Sequence, residues 1–354
     1  MVRTTTQRAP GKLYIAGEYA VVTPLHTVIG LAVDRFLTVT IAPSEEGTFF
    51  SKNHTDDELS WGRNIQGEFN LNSDDFQLVN DIVRTVERYV VEHDEVLTTY
   101  SIDIESELDG SNGRKYGLGS SGALTVALTK GLLDFYDLPF DDSDVFKLSA
   151  LSHMENGNNG SFGDLAISTY GGVIAYTNFE RSGFDFDQSI SKLMANEWEG
   201  LEINRITLPS DINFIVGWTG KPVSTGIQVE KAYGDGGLSE SDFLTKSQDV
   251  VKAILEACKL SDSALFLSNI EKNRYLLQEL AEMRQLAIET PALNNFIQTI
   301  EEYEGKAKTS GSGGGDCGIG FFNTDFDVKQ LEKSLQQQAI IRLDLAIASR
   351  KDNL

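Results

Sequence analysis

The sequence predicts an α+β fold in two domains, and three features predict it. Strand-like and helix-like runs are interspersed without regular β-α-β repetition, which argues against a doubly wound parallel sheet. The chain has 354 residues, more than the roughly 250–300 that a single core usually serves. Polar sequence from Asn178 to Asn204 precedes a second half that is rich in helical patterns. We therefore divide the chain into an N-terminal domain of residues 1–205 and a C-terminal domain of residues 206–354.

Within the first domain, Leu13 to Ile15, Val28 to Val33 and Phe36 to Ile41 read as short strands. Turn-rich sequence from Pro43 to Asn72 separates them from a helix. Phe76, Val79, Ile82, Val83, Val86 and Val90 follow helical spacing, and Asn72 or Ser73 can cap that helix. Tyr100 to Ile104 alternates as a strand does. Ala123 to Tyr136 is apolar on nearly all sides, as a buried helix requires. Ser143 is positioned to cap the next helix, and Val173 to Tyr176 is a strand. In the second domain, Asn213 to Gly217 is a strand, and Phe243 to Cys258 and Ala264 to Ile288 carry helical spacing. Thr290-Pro291 reads as the cap and first residue of a further helix. Ile319 to Phe322 is strand-like, Val328 to Gln338 helical, and Ile340 to Ile347 a closing strand.

Composition excludes several classes. Lys and Arg number 30 against 53 Asp and Glu, a net charge of −23. Such a surface repels nucleic acid and anionic membranes, so neither is expected as a partner. Met1 to Pro10 has no apolar signal-peptide core, and the strongest apolar run, Ala123 to Leu133, is too short to span a bilayer. Cys258 and Cys317 cannot make a disulfide scaffold, and four His without metal-ligand spacing do not suggest structural zinc. A reduced cytoplasm is the expected setting.

Four segments could carry chemistry. Gly117 to Gly122, spelled G-L-G-S-S-G, opens a helix. Glycines let backbone N–H groups approach an anion, and the helix start adds its positive end. The same spelling serves an ordinary, tightly packed helix cap. The dinucleotide fingerprint does not apply, since no strand feeds directly into the glycines, and no G-x-x-x-x-G-K-[ST] loop occurs. Gly311 to Gly315 is a glycine-rich run followed by apolar sequence, which suits a ligand loop better than a linker. Its neighbour Cys317 is better read as a small buried residue than as a nucleophile. Lys12, in A-P-G-K, precedes an apolar strand and by itself reads as a solvated edge residue. Gly157 to Asp164 crowds polar residues that alone would read as a turn-rich loop.

In this order the segments resemble a known family. A-P-G-K-L-Y-I-A-G-E-Y-A-V, Y-G-L-G-S-S-G-A-L and K-T-S-G-S-G-G-G-D-C-G are similar to the three motifs of the GHMP small-molecule kinases. The spellings N-G-S-F-G-D-L-A, I-V-G-W-T-G and G-G-G-D-C-G-I place the resemblance nearest its bacterial phosphomevalonate kinase branch. The resemblance implies an N-terminal domain like the second domain of ribosomal protein S5 and a ferredoxin-like C-terminal domain. It implies ATP, Mg²⁺ and conversion of (R)-5-phosphomevalonate to 5-diphosphomevalonate in isoprenoid synthesis. By matching motif positions, Gly117, Leu118, Gly119, Ser120, Ser121 and Gly122, with Gly313 and Gly314, would hold ATP. Lys12, Asp164 and Lys115 would lie at the transferring phosphoryl group. Tyr19, Asn158, Ser161, Ser224, Thr225 and Gly315 would surround the acceptor. Ser121 would meet Mg²⁺, with Glu155 as a second ligand because His153 occupies the position of a metal-binding glutamate in mevalonate kinases. Sister enzymes (mevalonate kinase, diphosphomevalonate decarboxylase) are the alternative. A non-catalytic GHMP-like sensor is disfavoured by the presence of both Lys12 and Asp164.

Overall fold

The computed structural model describes residues 3–110, 115–157, 160–220, 231–233 and 242–349. Its first feature is a long antiparallel pair, β1 (Thr5–Ala16) and β2 (Thr27–Pro43). The two runs expected as separate strands, Val28 to Val33 and Phe36 to Ile41, are one strand. Pro10 pairs with Phe36 and Gly11 with Val33, so Asp34 and Arg35 are accommodated at a register shift. A proline without an N–H group suits such a bulge.

The region expected to be only turns holds three more strands: β3 (Thr48–Ser51), β4 (Leu59–Arg63) and β5 (Phe69–Leu71). Each is too short to show a period of two, yet Phe49, Trp61 and Phe69 point into the core. With β6 (Tyr100–Ser106), β7 (Val173–Thr177) and β8 (Glu202–Ile206) they form a sheet ordered β5-β4-β3-β6-β2-β7-β8, β1 pairing with β2. Helices α1 (Gln77–Glu92), α2 (Ser120–Phe135), α3 (Asp142–Met154) and α4 (Gly163–Tyr170) accompany this sheet. Helix α2 packs on β1 and β2 and also touches α1, α3 and α4, which explains why it is apolar all round. The cap of α3 is Asp141, not Ser143: its carboxylate accepts the Asp144 N–H in a capping box. The polar stretch before the second domain contains β8 and a short helix, α5 (Ile190–Ala195).

The second sheet is antiparallel throughout, in the order β10-β11-β9-β12. Its strands are β9 (Asn213–Trp218), β10 (Lys306–Thr309), β11 (Cys317–Phe322) and β12 (Ile341–Leu343). Between β9 and β10 come α6 (Asp242–Leu260), α7 (Ser263–Arg284) and α8 (Pro291–Glu302), and α9 (Val328–Gln337) precedes β12. The hydroxyl of Thr290 accepts the Leu293 N–H, so α8 begins where Thr290-Pro291 signals it. The connectivity is the β-α-β-β-α-β pattern of ferredoxin-like domains.

The division at 205/206 falls on the last residues of β8. The expected strand over Ile340 to Ile347 is shorter, because the chain then leaves the second sheet. The Ala348 N–H donates to the Ala32 carbonyl and the Gly172 N–H to the Ala348 carbonyl. The end of the second domain thus ties back to the first. A second tie is Gln248 of α6, whose side-chain amide pairs with both backbone groups of Thr27.

Candidate active site

Lys12 sits in β1 and its N–H donates to the Leu118 carbonyl at 2.7 Å, fastening the strand to the first glycine segment. Gly119 is the residue before α2 and has φ +81°. A Cβ there would lie 2.9 Å from both Cγ and Cε of Lys12, so the lysine stem runs across this glycine. The same amine lies 4.9 Å from the centre of the Tyr14 ring and 3.9 Å from where Gly311 would carry a Cβ. Lys12 therefore stands between the two glycine-rich segments, which are about 190 residues apart in sequence.

No side chain caps α2. Its leading N–H groups and the positive end of a 16-residue helix are of the kind that can attract an anion. Ser120 is half-buried and Ser121 exposed at this end. Asp164, in the first turn of α4, places Oδ2 2.7 Å from where Gly122 would carry a Cβ. Lys12, Asp164, Gly311 and the start of α2 are thereby brought together from four parts of the chain.

The approach to Asp164 is braced. Phe162 has φ +59°, a strained conformation for a bulky residue. Arg181 stacks its guanidinium 4.5 Å from the Phe162 ring centre and donates to the Gly160 carbonyl, while the Tyr176 hydroxyl donates to the Ser161 carbonyl at 2.7 Å. Burial, and after it the Asp164 carboxylate, raises the Tyr14 hydroxyl far above the ordinary phenol range, so it stays protonated beside Ser161.

The third segment is pinned to the first. The Ser310 hydroxyl accepts the Tyr14 N–H at 2.9 Å and donates to the Tyr14 carbonyl at 3.1 Å. Gly314 donates to the Ile288 carbonyl at 2.8 Å, and a Cβ at Gly313 would lie 2.3 Å from that same oxygen. Gly313 and Gly314 thus lean on the chain before α8, and Gly315 is buried. Gly311 is the glycine of this run that faces Lys12.

Other expected site residues are placed differently. Lys115 is exposed at the rim, two residues before Gly117, its backbone bridging to Asp109. Tyr19 is only 3% exposed and its hydroxyl donates to the Ser312 carbonyl at 2.6 Å, so it braces the third segment and does not open into the cleft. Glu155 is turned onto α1: its carboxylate pairs with Arg88 and accepts the Thr85 hydroxyl at 3.1 Å. Both oxygens are engaged there, which departs from the expected metal-ligand role. His153 shares a hydrogen bond with the Thr125 hydroxyl of α2 at 3.0 Å. Burial lowers its pKa, against the opposing charges of Asp164 and Asp81. Among the described residues no group of three or more His, Cys, Asp or Glu side chains is placed to hold a metal ion. Burial pushes the Cys317 thiol up, and its sulfur donates to the Tyr116 carbonyl, so it is no nucleophile. Asn158, Ser224 and Thr225 lie outside the described residues.

Sequence reading missed three contributors. Tyr14 shares a strand face with Lys12, and period-two spacing alone could have found it. The Asp316 side chain lies against Gly117, where a Cβ would be 2.6 Å from its Cγ. A polar recess of about 490 Å³ adjoins Tyr116 and is lined by Arg35, Lys52, Asn53, Ser106 and Asp109. These residues come from distant segments, so no local signal marks them.

Residues 77–172 match the family model described as GHMP kinases N terminal domain, and residues 251–341 that of GHMP kinases C terminal. The phosphomevalonate kinase of Streptomyces sp. (strain CL190) is 32% identical over 98% of both chains. A crystal structure of a Listeria innocua protein superposes with a TM-score of 0.90 at 36% identity, covering 98% of both chains. The Streptococcus pneumoniae phosphomevalonate kinase in complex with phosphomevalonate and AMPPNP superposes with a TM-score of 0.85 at 26% identity, covering 97% of this chain and 100% of that one.

Proposed function

The chain belongs to the GHMP kinase family, and from that premise we infer that it is an ATP-dependent phosphomevalonate kinase, making (R)-5-diphosphomevalonate from (R)-5-phosphomevalonate. One observation carries the reading: Lys12 stands between the uncapped start of α2 and the third glycine segment, with Asp164 against Gly122 in the first turn of α2. A cation and a helix N-terminus facing one space suit phosphoryl transfer, and the 32% identity over 98% of the chain to a phosphomevalonate kinase favours a phosphate acceptor over an alcohol. The pneumococcal relative holds a phosphate ester and an ATP analogue, the pair of anions this cleft would take. The polar recess beside Tyr116 would receive the nucleoside.

The acceptor sets the chemistry. A phosphate monoester has its second pKa near ~6 and is largely ionised at neutral pH. Its oxygen needs no general base. What must be overcome is repulsion between two polyanions, by positioning and charge neutralisation. Backbone N–H groups at the start of α2 would hold the nucleotide phosphates. Lys12 would bridge donor and acceptor oxygens, and Lys115 would meet them at the rim. Asp164 would orient Lys12 or the metal ion and take no proton. Ser121 and Asp164, both at the α2 start, would hold Mg²⁺, an ion bound by one or two carboxylates together with phosphate oxygens and water. When bound, it would neutralise phosphate charge. The two free, buried cysteines suit a reducing cytoplasm.

A coupled ADP-release assay across mevalonate, phosphomevalonate and diphosphomevalonate tests the reading. Turnover with phosphomevalonate alone is expected. Turnover with mevalonate alone would move the chain to the sister kinase, and none with any acceptor would point to a ligand sensor.

A further inference from the structure

Two charged side chains are buried far more deeply than Lys12, and no step above uses them. Glu18, at the turn after β1, is 3% exposed, and Lys308 in β10 is 0% exposed. They form an ion pair between the first domain and the second. Asn273 of α7 donates to the other Glu18 oxygen at 3.1 Å, and the Lys308 amine also donates to the Thr309 carbonyl at 2.6 Å.

Buried ions are costly unless paired and hydrogen-bonded, and such a pair often stabilises a fold no better than apolar side chains of the same volume. Placement is the better account of this one. Glu18 immediately precedes Tyr19, whose hydroxyl holds the Ser312 carbonyl. Lys308 stands two residues before Ser310, whose hydroxyl is bonded to both backbone groups of Tyr14. The pair thus joins the end of the strand that carries Lys12 to the start of the segment that carries Gly311. We propose that the buried Glu18–Lys308 pair is an interdomain latch that sets the third glycine segment against Lys12 for phosphoryl transfer, both residues being positioning residues.

This inference rests on the kinase reading. If that reading fails, the unmodified protein shows no turnover of phosphomevalonate; if only the latch fails, unmodified protein and variants turn over alike. The test is the double variant Glu18→Gln with Lys308→Met, which removes both charges and strands neither. Its thermal midpoint, AMPPNP affinity and kcat are measured together. AMPPNP affinity should stay within about threefold, because the α2 start belongs to the first domain and the bond from Gly314 to Ile288 lies within the second and is untouched, while kcat falls by about 10- to 100-fold, as expected for a misplacement near 1 Å. A folded double variant with kcat within about threefold of the original overturns the latch, as does a parallel loss of AMPPNP affinity. Glu18→Asp keeps the charge and shortens the arm by one methylene, so it decides the matter if the double variant does not fold. A lowered kcat with unchanged AMPPNP affinity supports the latch there, and an unchanged kcat overturns it.

Discussion

Lys12 lies against Gly119 and Asp164 against Gly122 at the α2 start, and their charges predict different costs of removal. Lys12→Met keeps much of the stem and removes the cation. Turnover should fall by about 10²–10³, comparable to losing one preorganised electrostatic donor. Asp164→Asn keeps the shape and should cost less, by misorienting Lys12 or Mg²⁺. Steady-state kcat for the two variants checks the order, and the reverse order would make Asp164 a proton acceptor. Gly119 supplies a second prediction. Its φ of +81° and the 2.9 Å approach to the Lys12 stem leave no room for a methyl group. Gly119→Ala should lower stability by about 1–2 kcal/mol and displace Lys12, lowering turnover even where the protein remains folded. Thermal melts and kcat check both halves. At this scale Lys12, Asp164 and the α2 glycines were legible only through the order of the motifs and the family they resemble, because singly Lys12 reads as a strand-edge residue and Asp164 as part of a polar loop. Glu155 was misplaced because an acid two residues from a motif position carries no information about which way it turns. Only the packing of α3 on α1 directs it to Arg88.

Among the elements, α2 and the third glycine segment frame the proposed site, and each has its own test. His153 packs α3 against α2 through Thr125. Burial lowers its pKa, so the folded protein binds that proton less readily than the unfolded chain. The contribution is complete above the unfolded value near pH ~6.5 and is lost as pH falls below it. His153→Gln should therefore flatten the decline of Tm on the acid side of that value; an unchanged slope would contradict a neutral buried imidazole. The third segment would tolerate insertion if it were a linker, since loop closure depends weakly on length. Its bonds to Ile288 and Tyr14 predict instead that two residues inserted between Gly314 and Gly315 abolish turnover. Near-normal turnover would return the segment to a linker. Long helices and the Thr290-Pro291 cap were legible because period and capping act locally. The short strands β3, β4 and β5 were not, since each is specified by pairing with distant partners.

For the whole molecule, the ruling fact is that a chain of net charge −23 is read as bringing two further polyanions together. Local placement must outweigh the global field, and the two sheets supply it by holding Lys12 and the α2 start on one side and Gly311 on the other. The α+β class followed from the interspersed pattern. The return of Ala346 to Ala348 to β2 and the buried Glu18–Lys308 pair did not, because both are long-range contacts without local spelling. The central claim is that the acceptor arrives already ionised and is met by cations, so that no protein base is needed. The most direct measurement is the pH profile of kcat/KM for phosphomevalonate in the unmodified protein and in Asp164→Asn. The account predicts an acidic limb near pH ~6, set by the substrate phosphate, that persists in the variant at a lower plateau. Loss of that limb in Asp164→Asn would contradict it and make Asp164 the base.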